Sequence, residues 1–223
     1  MLSGRRHATY DRTLNNSAGL FVAATMAHIA AMITRRQAVL FAPAAILGTG
    51  LAGAIGYIAL RPEATIPIGG PFALLDGKGR TVTDQQFRGR WMLVYFGYTH
   101  CPDACPTALQ DMANAVDLLG PRKKDVAIVF ITVDPERDTP AVMQDYVAAF
   151  EAGITALSGD AEAIARAARA YRVYYAKHPT KDGGYDMDHS SIIYLMDPKG
   201  RFSANFTHET PPEQIAAKLK ALV

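Results

Sequence analysis

Both cysteines of this 223-residue chain lie in one six-residue stretch, Cys101-Pro102-Asp103-Ala104-Cys105-Pro106. It follows directly on the apolar run Trp91–Tyr98, which has the length and character of a buried strand. A strand that runs into a close Cys pair and then a helix sets two soft sulfurs at a helix N-terminus. There the unpaired backbone N–H groups and the macrodipole favour thiolate over thiol. Thiolate is the nucleophile of disulfide exchange and a preferred ligand of soft metals such as Cu(I). The residue types thus offer two chemistries, redox exchange and metal binding.

The net charge of +2 conceals a division. Residues 1–61 carry six Arg against one Asp, whereas residues 62–223 carry 17 Lys/Arg against 20 Asp/Glu. The basic end reads as targeting, and the mildly acidic remainder lacks the basic patch that nucleic-acid binding needs. Residues 38–60 are uncharged between Arg35-Arg36 and Arg61, long enough as a helix to cross a hydrocarbon core of about 30 Å. The expected organisation is a basic segment over 1–37, a transmembrane anchor over 38–60, a linker over 61–71 and a folded domain over 72–223. The Arg excess places the N-terminus in the cytoplasm and the domain outside it. A cleaved signal, a twin-arginine signal at Thr34-Arg35-Arg36-Gln37 and a buried globular helix are the weaker alternatives. Met26 and Met32 are alternative starts.

Within the domain, Phe72–Leu75 and Thr81–Thr83 read as a hairpin about Asp76-Gly77-Lys78-Gly79. Helical spacing runs over Cys105–Leu119, and Val126–Val133 is a second buried strand. Thr139-Pro140 opens a helix to about Phe150, and Asp160 caps another to about Tyr171. Ile154–Leu157 reads as a short strand and residues 176–188 as a polar loop. Ser191–Met196 and Phe202–Phe206 form a second hairpin, and Thr210-Pro211-Pro212-Glu213 has capping-box spacing before the last helix. The order β-α-β-α-β-α-β-β-α makes an α/β domain with a central mixed sheet flanked by helices.

Outside the cytoplasm a structural disulfide is the plain reading of two cysteines. One between Cys101 and Cys105 closes a very small loop and adds little to a core of this size, so a functional pair is favoured. The spacing is Cys-x-x-x-Cys, not the Cys-x-x-Cys of thioredoxin-type redox pairs. It permits a disulfide and also lets both sulfurs face one external atom. Structural zinc would call for four ligands, and no second Cys pair exists. Among six histidines, His178 reads as exposed and His208 as a surface residue, while His100 adjoins Cys101 too closely to converge with it on one metal. His189 enters the buried strand Ser191–Met196. In a thioredoxin-like arrangement that entry lies beside the Cys turn, where disulfide oxidoreductases carry a cis-proline that this chain lacks. His189 is accordingly a candidate third ligand. Met187 reads as packing.

Three separated segments carry a family resemblance. They are Tyr95-Phe96-Gly97-Tyr98-Thr99-His100-Cys101-Pro102-Asp103-Ala104-Cys105-Pro106, Val133-Asp134-Pro135-Glu136-Arg137-Asp138-Thr139-Pro140, and Tyr185-x-Met187-Asp188-His189-Ser190. From about Pro62 onward the chain resembles the Sco/SenC copper chaperones of cytochrome c oxidase assembly. The resemblance implies a thioredoxin-like fold holding one copper, Cu(I) or Cu(II), through Cys101, Cys105 and His189, with Asp134 nearby but not a ligand. It implies a membrane-anchored chaperone that takes copper from an upstream periplasmic donor. The copper would pass to the dinuclear copper site of cytochrome c oxidase subunit II. The alternative is a thiol–disulfide oxidoreductase, using Cys101 and Cys105 as its redox pair to keep the acceptor cysteines reduced. A peroxidase role is weaker, since no peroxide motif accompanies the pair. The implied location is the inner membrane with the domain in the periplasm, or a mitochondrial inner membrane with the domain in the intermembrane space.

Overall fold

The computed structural model describes residues 67–150 and 152–223. The basic segment expected over 1–37 and the anchor over 38–60 lie outside the described residues. Among the described residues no helix is long and apolar enough to cross a membrane.

The centre of the domain is a five-stranded mixed sheet whose strands run, edge to edge, Thr155–Leu157, Val126–Thr132, Trp91–Gly97, Ile192–Met196 and Phe202–Thr207. Strand β3 (Trp91–Gly97) pairs in parallel with β4 (Val126–Thr132), from Trp91 opposite Val126 to Gly97 opposite Thr132. On its other side β3 pairs antiparallel with β8 (Ile192–Met196). Having neighbours on both edges and cover on both faces, β3 and β4 must be predominantly apolar, and every residue of β4 is buried. Strand β5 (Thr155–Leu157) extends the parallel side. At the other edge β9 (Phe202–Thr207) alternates exposed and partly buried residues.

Four helices accompany the sheet: α1 (Ala104–Asp117), α2 (Pro140–Ala148), α3 (Ala161–Tyr171) and α4 (Pro212–Lys220). Helix α1 packs against α4 and α2 against β5. The side chains of Thr139 and Asp160 cap α2 and α3 by accepting from Val142 N and Ala163 N, as their sequence positions require. The expected N-terminal hairpin is present as β1 (Ala73–Leu75) and β2 (Thr81–Thr83). Upstream of it, Gly69 N–H donates to Ala170 O at 2.8 Å, and a Cβ there would meet Met196 Cε at 2.3 Å.

Two expectations need correction. The supposed polar loop over 176–188 is largely a β-hairpin, β6 (Tyr175–Pro179) paired with β7 (Tyr185–His189). Only Met187 of its ten residues is buried, so the pair has no apolar alternation to reveal it. Its turn is closed by Thr180 N–H to Gly184 O at 3.0 Å, with Gly183 at φ +85°. The capping box at Thr210 does not form either. Helix α4 starts at Pro212 with Pro211 as N-cap and no side-chain cap, while Thr210 Oγ1 accepts from Thr207 N. Proline is suited to the first helical position, where its missing N–H leaves nothing unpaired.

Candidate metal centre

Cys101, Cys105 and His189 converge at the C-terminal end of β3, each from a different local setting. Cys105 lies in the first turn of α1 and is fully buried, whereas Cys101 lies in the preceding turn and is partly exposed. His189 ends β7, opposite Tyr175, and Ser190-Ser191 then lead into β8. One ligand atom from each of the three lies within 4.8 Å of the others, the one such cluster among the described residues. Both cysteines are free thiols.

The imidazole is oriented on every side. Its Nδ1 lies 3.3 Å from Ser190 O, an oxygen that can only accept, so Nδ1 carries the proton. Nε2, left without a proton, faces Cys105 Sγ 3.5 Å away and presents its lone pair there. The ring meets Tyr98 edge-on at 5.7 Å and Tyr95 edge-on at 6.0 Å. A histidine whose second nitrogen is tied to the backbone has the arrangement characteristic of a metal ligand.

The two sulfurs share one proton. The Cys101 thiol is held down to about 4, first by a hydrogen bond from Cys105, then by the backbone N–H groups of Asp103 and Cys105 and least by the His189 side chain, against its partial burial. Cys105 is pushed strongly up because it keeps the proton in that bond and because it is buried. A thiolate is thus favoured at Cys101 alone, and the hydrogen bond from Cys105 contributes more to it than the open helix terminus that the sequence pointed to. An ordinary thiol titrates near 8.5 and gains alkylation rate about tenfold per pH unit below that value. Because its pKa lies below, Cys101 is already thiolate at pH 6. Its alkylation rate by iodoacetamide should be almost flat from pH 6 to 8, while the denatured chain shows the steep rise; mass spectrometry of the alkylated peptide distinguishes the two.

Gly97 makes room for the buried sulfur. A Cβ on Gly97 would stand 2.6 Å from Cys105 Sγ and 3.0 Å from Phe130 Cε2. Gly97→Ala should displace Cys105 and weaken metal binding about 10-fold or more, read by competition with a chromophoric chelator.

Asp134 is buried and stands outside the three-residue cluster, as expected. It is ion-paired with Arg137 Nε and accepts from Tyr185 Oη at 2.9 Å. Arg137 in turn donates to Tyr185 O at 3.0 Å and stacks 3.8 Å from the centre of the Tyr185 ring. Tyr185 begins β7 and His189 ends it, so this clamp holds the strand that carries the imidazole.

Sequence reasoning passed over Asp138, which underlies the Cys turn. It is wholly buried and accepts from Thr99 N at 3.0 Å, Thr99 Oγ1 at 2.6 Å and Thr132 Oγ1 at 2.7 Å. The Thr139-Pro140 signal drew that segment into a helix cap and left the preceding acid unremarked. Tyr95 and Gly97 were recoverable from period-two spacing, which puts both on the same face of β3. His178 is exposed as expected and pairs with Asp188 Oδ2 at 2.8 Å across the hairpin. Met187 is buried packing.

A family model described as SCO1/SenC matches residues 61–223. The mitochondrial SCO2 homolog of Bos taurus is 42% identical over 193 residues, covering 79% of this chain and 72% of that protein. The mitochondrial SCO1 homolog 1 of Arabidopsis thaliana is 46% identical over 136 residues, 60% of this chain but 41% of that longer protein. Among solved structures, ScoI of Bradyrhizobium japonicum with copper bound is 49% identical with a TM-score of 0.65, covering 70% of this chain and 99% of that one.

Proposed function

The chain belongs to the SCO1/SenC family, and from that membership and the Cys-Cys-His cluster we propose that it is a membrane-anchored copper chaperone acting in cytochrome c oxidase assembly. The observation that carries this reading is the convergence of Cys101, Cys105 and His189 Nε2 within 4.8 Å from two regions 84 residues apart. The donor set suits copper as cargo: two thiolates satisfy Cu(I), and the imidazole adds a nitrogen that Cu(II) also accepts. Binding must expel the proton held at Cys105, so uptake releases acid. Cys101 is the more accessible sulfur, and an incoming acceptor thiolate would exchange there first, with the buried Cys105 last to let go.

The acceptor we assign is the dinuclear copper site of cytochrome c oxidase subunit II, supplied by a periplasmic donor upstream. The anchor over 38–60 would hold the domain at the outer face of an inner membrane, bacterial or mitochondrial. A second reading, a thiol–disulfide oxidoreductase acting on the same acceptor's cysteines, is favoured by the thiolate at Cys101 beside the Cys105 thiol. It needs only those two residues.

Copper titration of the reduced chain tests the main reading. One copper per chain is expected, with binding lost in Cys101→Ser. A different stoichiometry, or binding that survives that substitution, would overturn it.

A further inference from the structure

Tyr95 stands in the site with an unused hydroxyl. The residue is wholly buried, its ring is stacked on Phe130 at 6.3 Å, and the His189 ring meets it edge-on. Its Oη has no hydrogen-bond partner. Ser191 and Cys105 are polar neighbours of that hydroxyl, and neither completes a hydrogen bond of good geometry with it. The tyrosine and the cysteine converge over one backbone atom: a Cβ on Gly97 would lie 2.6 Å from Cys105 Sγ and 3.1 Å from Tyr95 Cε1, the ring carbon next to the one bearing the hydroxyl. A buried donor without an acceptor is costly, and native structures retain few of them.

The cost has a use once the sulfur carries charge. Cys105 is fully buried, so water does not reach its sulfur. A metal that replaces the thiol proton leaves a sulfur able to accept a hydrogen bond and no longer able to donate one. We propose that the Tyr95 hydroxyl is the hydrogen-bond donor to the metal-bound sulfur of Cys105, a positioning residue that holds this ligand and tunes the copper it binds. The inference rests on the copper-binding reading above. Hydrogen bonds at a cysteine sulfur draw electron density from it and so adjust both the potential and the spectrum of a copper–thiolate site.

Tyr95→Phe keeps the ring and removes the hydroxyl. Tyr146→Phe is the matched control, since its Oη is also buried without a partner and its ring packs on Phe130 at 5.9 Å. In the full chain, Tyr95→Phe should weaken copper affinity about tenfold. It should also move the thiolate-to-Cu(II) charge-transfer band to longer wavelength, because sulfur electrons that are no longer held by a hydrogen bond are easier to transfer. Thermal stability without copper should be unchanged or slightly higher, because an unpaired buried group has been deleted. A packing defect would instead lower both quantities together. Tyr146→Phe should leave band and affinity as in the parent chain. An unaltered band and affinity in Tyr95→Phe, or equal changes in both variants, overturns the inference alone. A parent chain that takes up no copper overturns the copper reading and this inference with it.

Discussion

Replacing His189 with alanine is expected to abolish tight Cu(II) binding while leaving Cys101 and Cys105 able to cycle between dithiol and disulfide. The separation follows from how the site is assembled. The two sulfurs belong to one turn and the first turn of α1, and their exchange of a single proton is led by the hydrogen bond between them, with His189 the least of its causes. The imidazole arrives from a separate hairpin, with Nε2 turned toward the sulfurs by the Nδ1 contact to Ser190 O. Deleting it removes the nitrogen donor on which Cu(II) depends more than Cu(I) does. Loss of one of three ligands should weaken Cu(II) binding at least 100-fold, a floor set by the 10–100-fold cost of losing groups that only support ligands. The paired measurements are a Cu(II) titration followed at the charge-transfer band and a redox titration of the dithiol against glutathione. His189→Ala that still complements oxidase assembly fully would count against copper carriage. A potential that shifts as much as the metal affinity would count against the independence of the two chemistries.

The largest effect on stability should come from Asp138→Ala. Its carboxylate is wholly buried and receives three hydrogen bonds, from Thr99 N, Thr99 Oγ1 and Thr132 Oγ1. Alanine takes this acceptor away from all three donors, of which Thr132 is wholly buried and Thr99 partly so. Each unsatisfied buried group costs about 1–3 kcal/mol, so a combined loss of about 3–5 kcal/mol is expected. That is a large share of the roughly 5–15 kcal/mol of a typical domain. Urea denaturation of the parent and variant measures it. Asp138→Asn retains one acceptor oxygen and should lose less. Thr99 is two residues before Cys101, so copper affinity should fall along with stability, in contrast to His189→Ala. A loss under about 1 kcal/mol would show that water or a rearranged Thr99 replaces the carboxylate.

What was legible in the sequence had a local cause. The unbroken apolar runs of β3 and β4 could only be strands buried on both faces, and both formed within a residue of their expected bounds. The caps at Thr139 and Asp160 act within three residues and were read correctly. The β6–β7 hairpin was missed because half of its residues are exposed and only Met187 is buried, so cross-strand pairing, not apolar patterning, marks it. With it went the reason that His189 points where it does, since the clamp from Asp134 and Arg137 onto Tyr185 joins residues about 50 positions apart.

The cysteine spacing determined that two sulfurs would stand at the start of a helix, because a three-residue gap and a helix terminus are properties of neighbouring residues. The sequence could also nominate His189, by its place before a buried strand. Tertiary structure decided the rest. Packing of the Cys turn over Asp138 and Gly97 buried one sulfur and left the other partly open. The hydrogen bond between them, together with that difference in burial, keeps the proton on Cys105 and the charge on Cys101. The tautomer of His189 and the unpartnered hydroxyl of Tyr95 likewise depend on contacts between distant segments. Hydrogen bonding and desolvation act through space at a few ångströms, and only the folded chain brings those groups within that range.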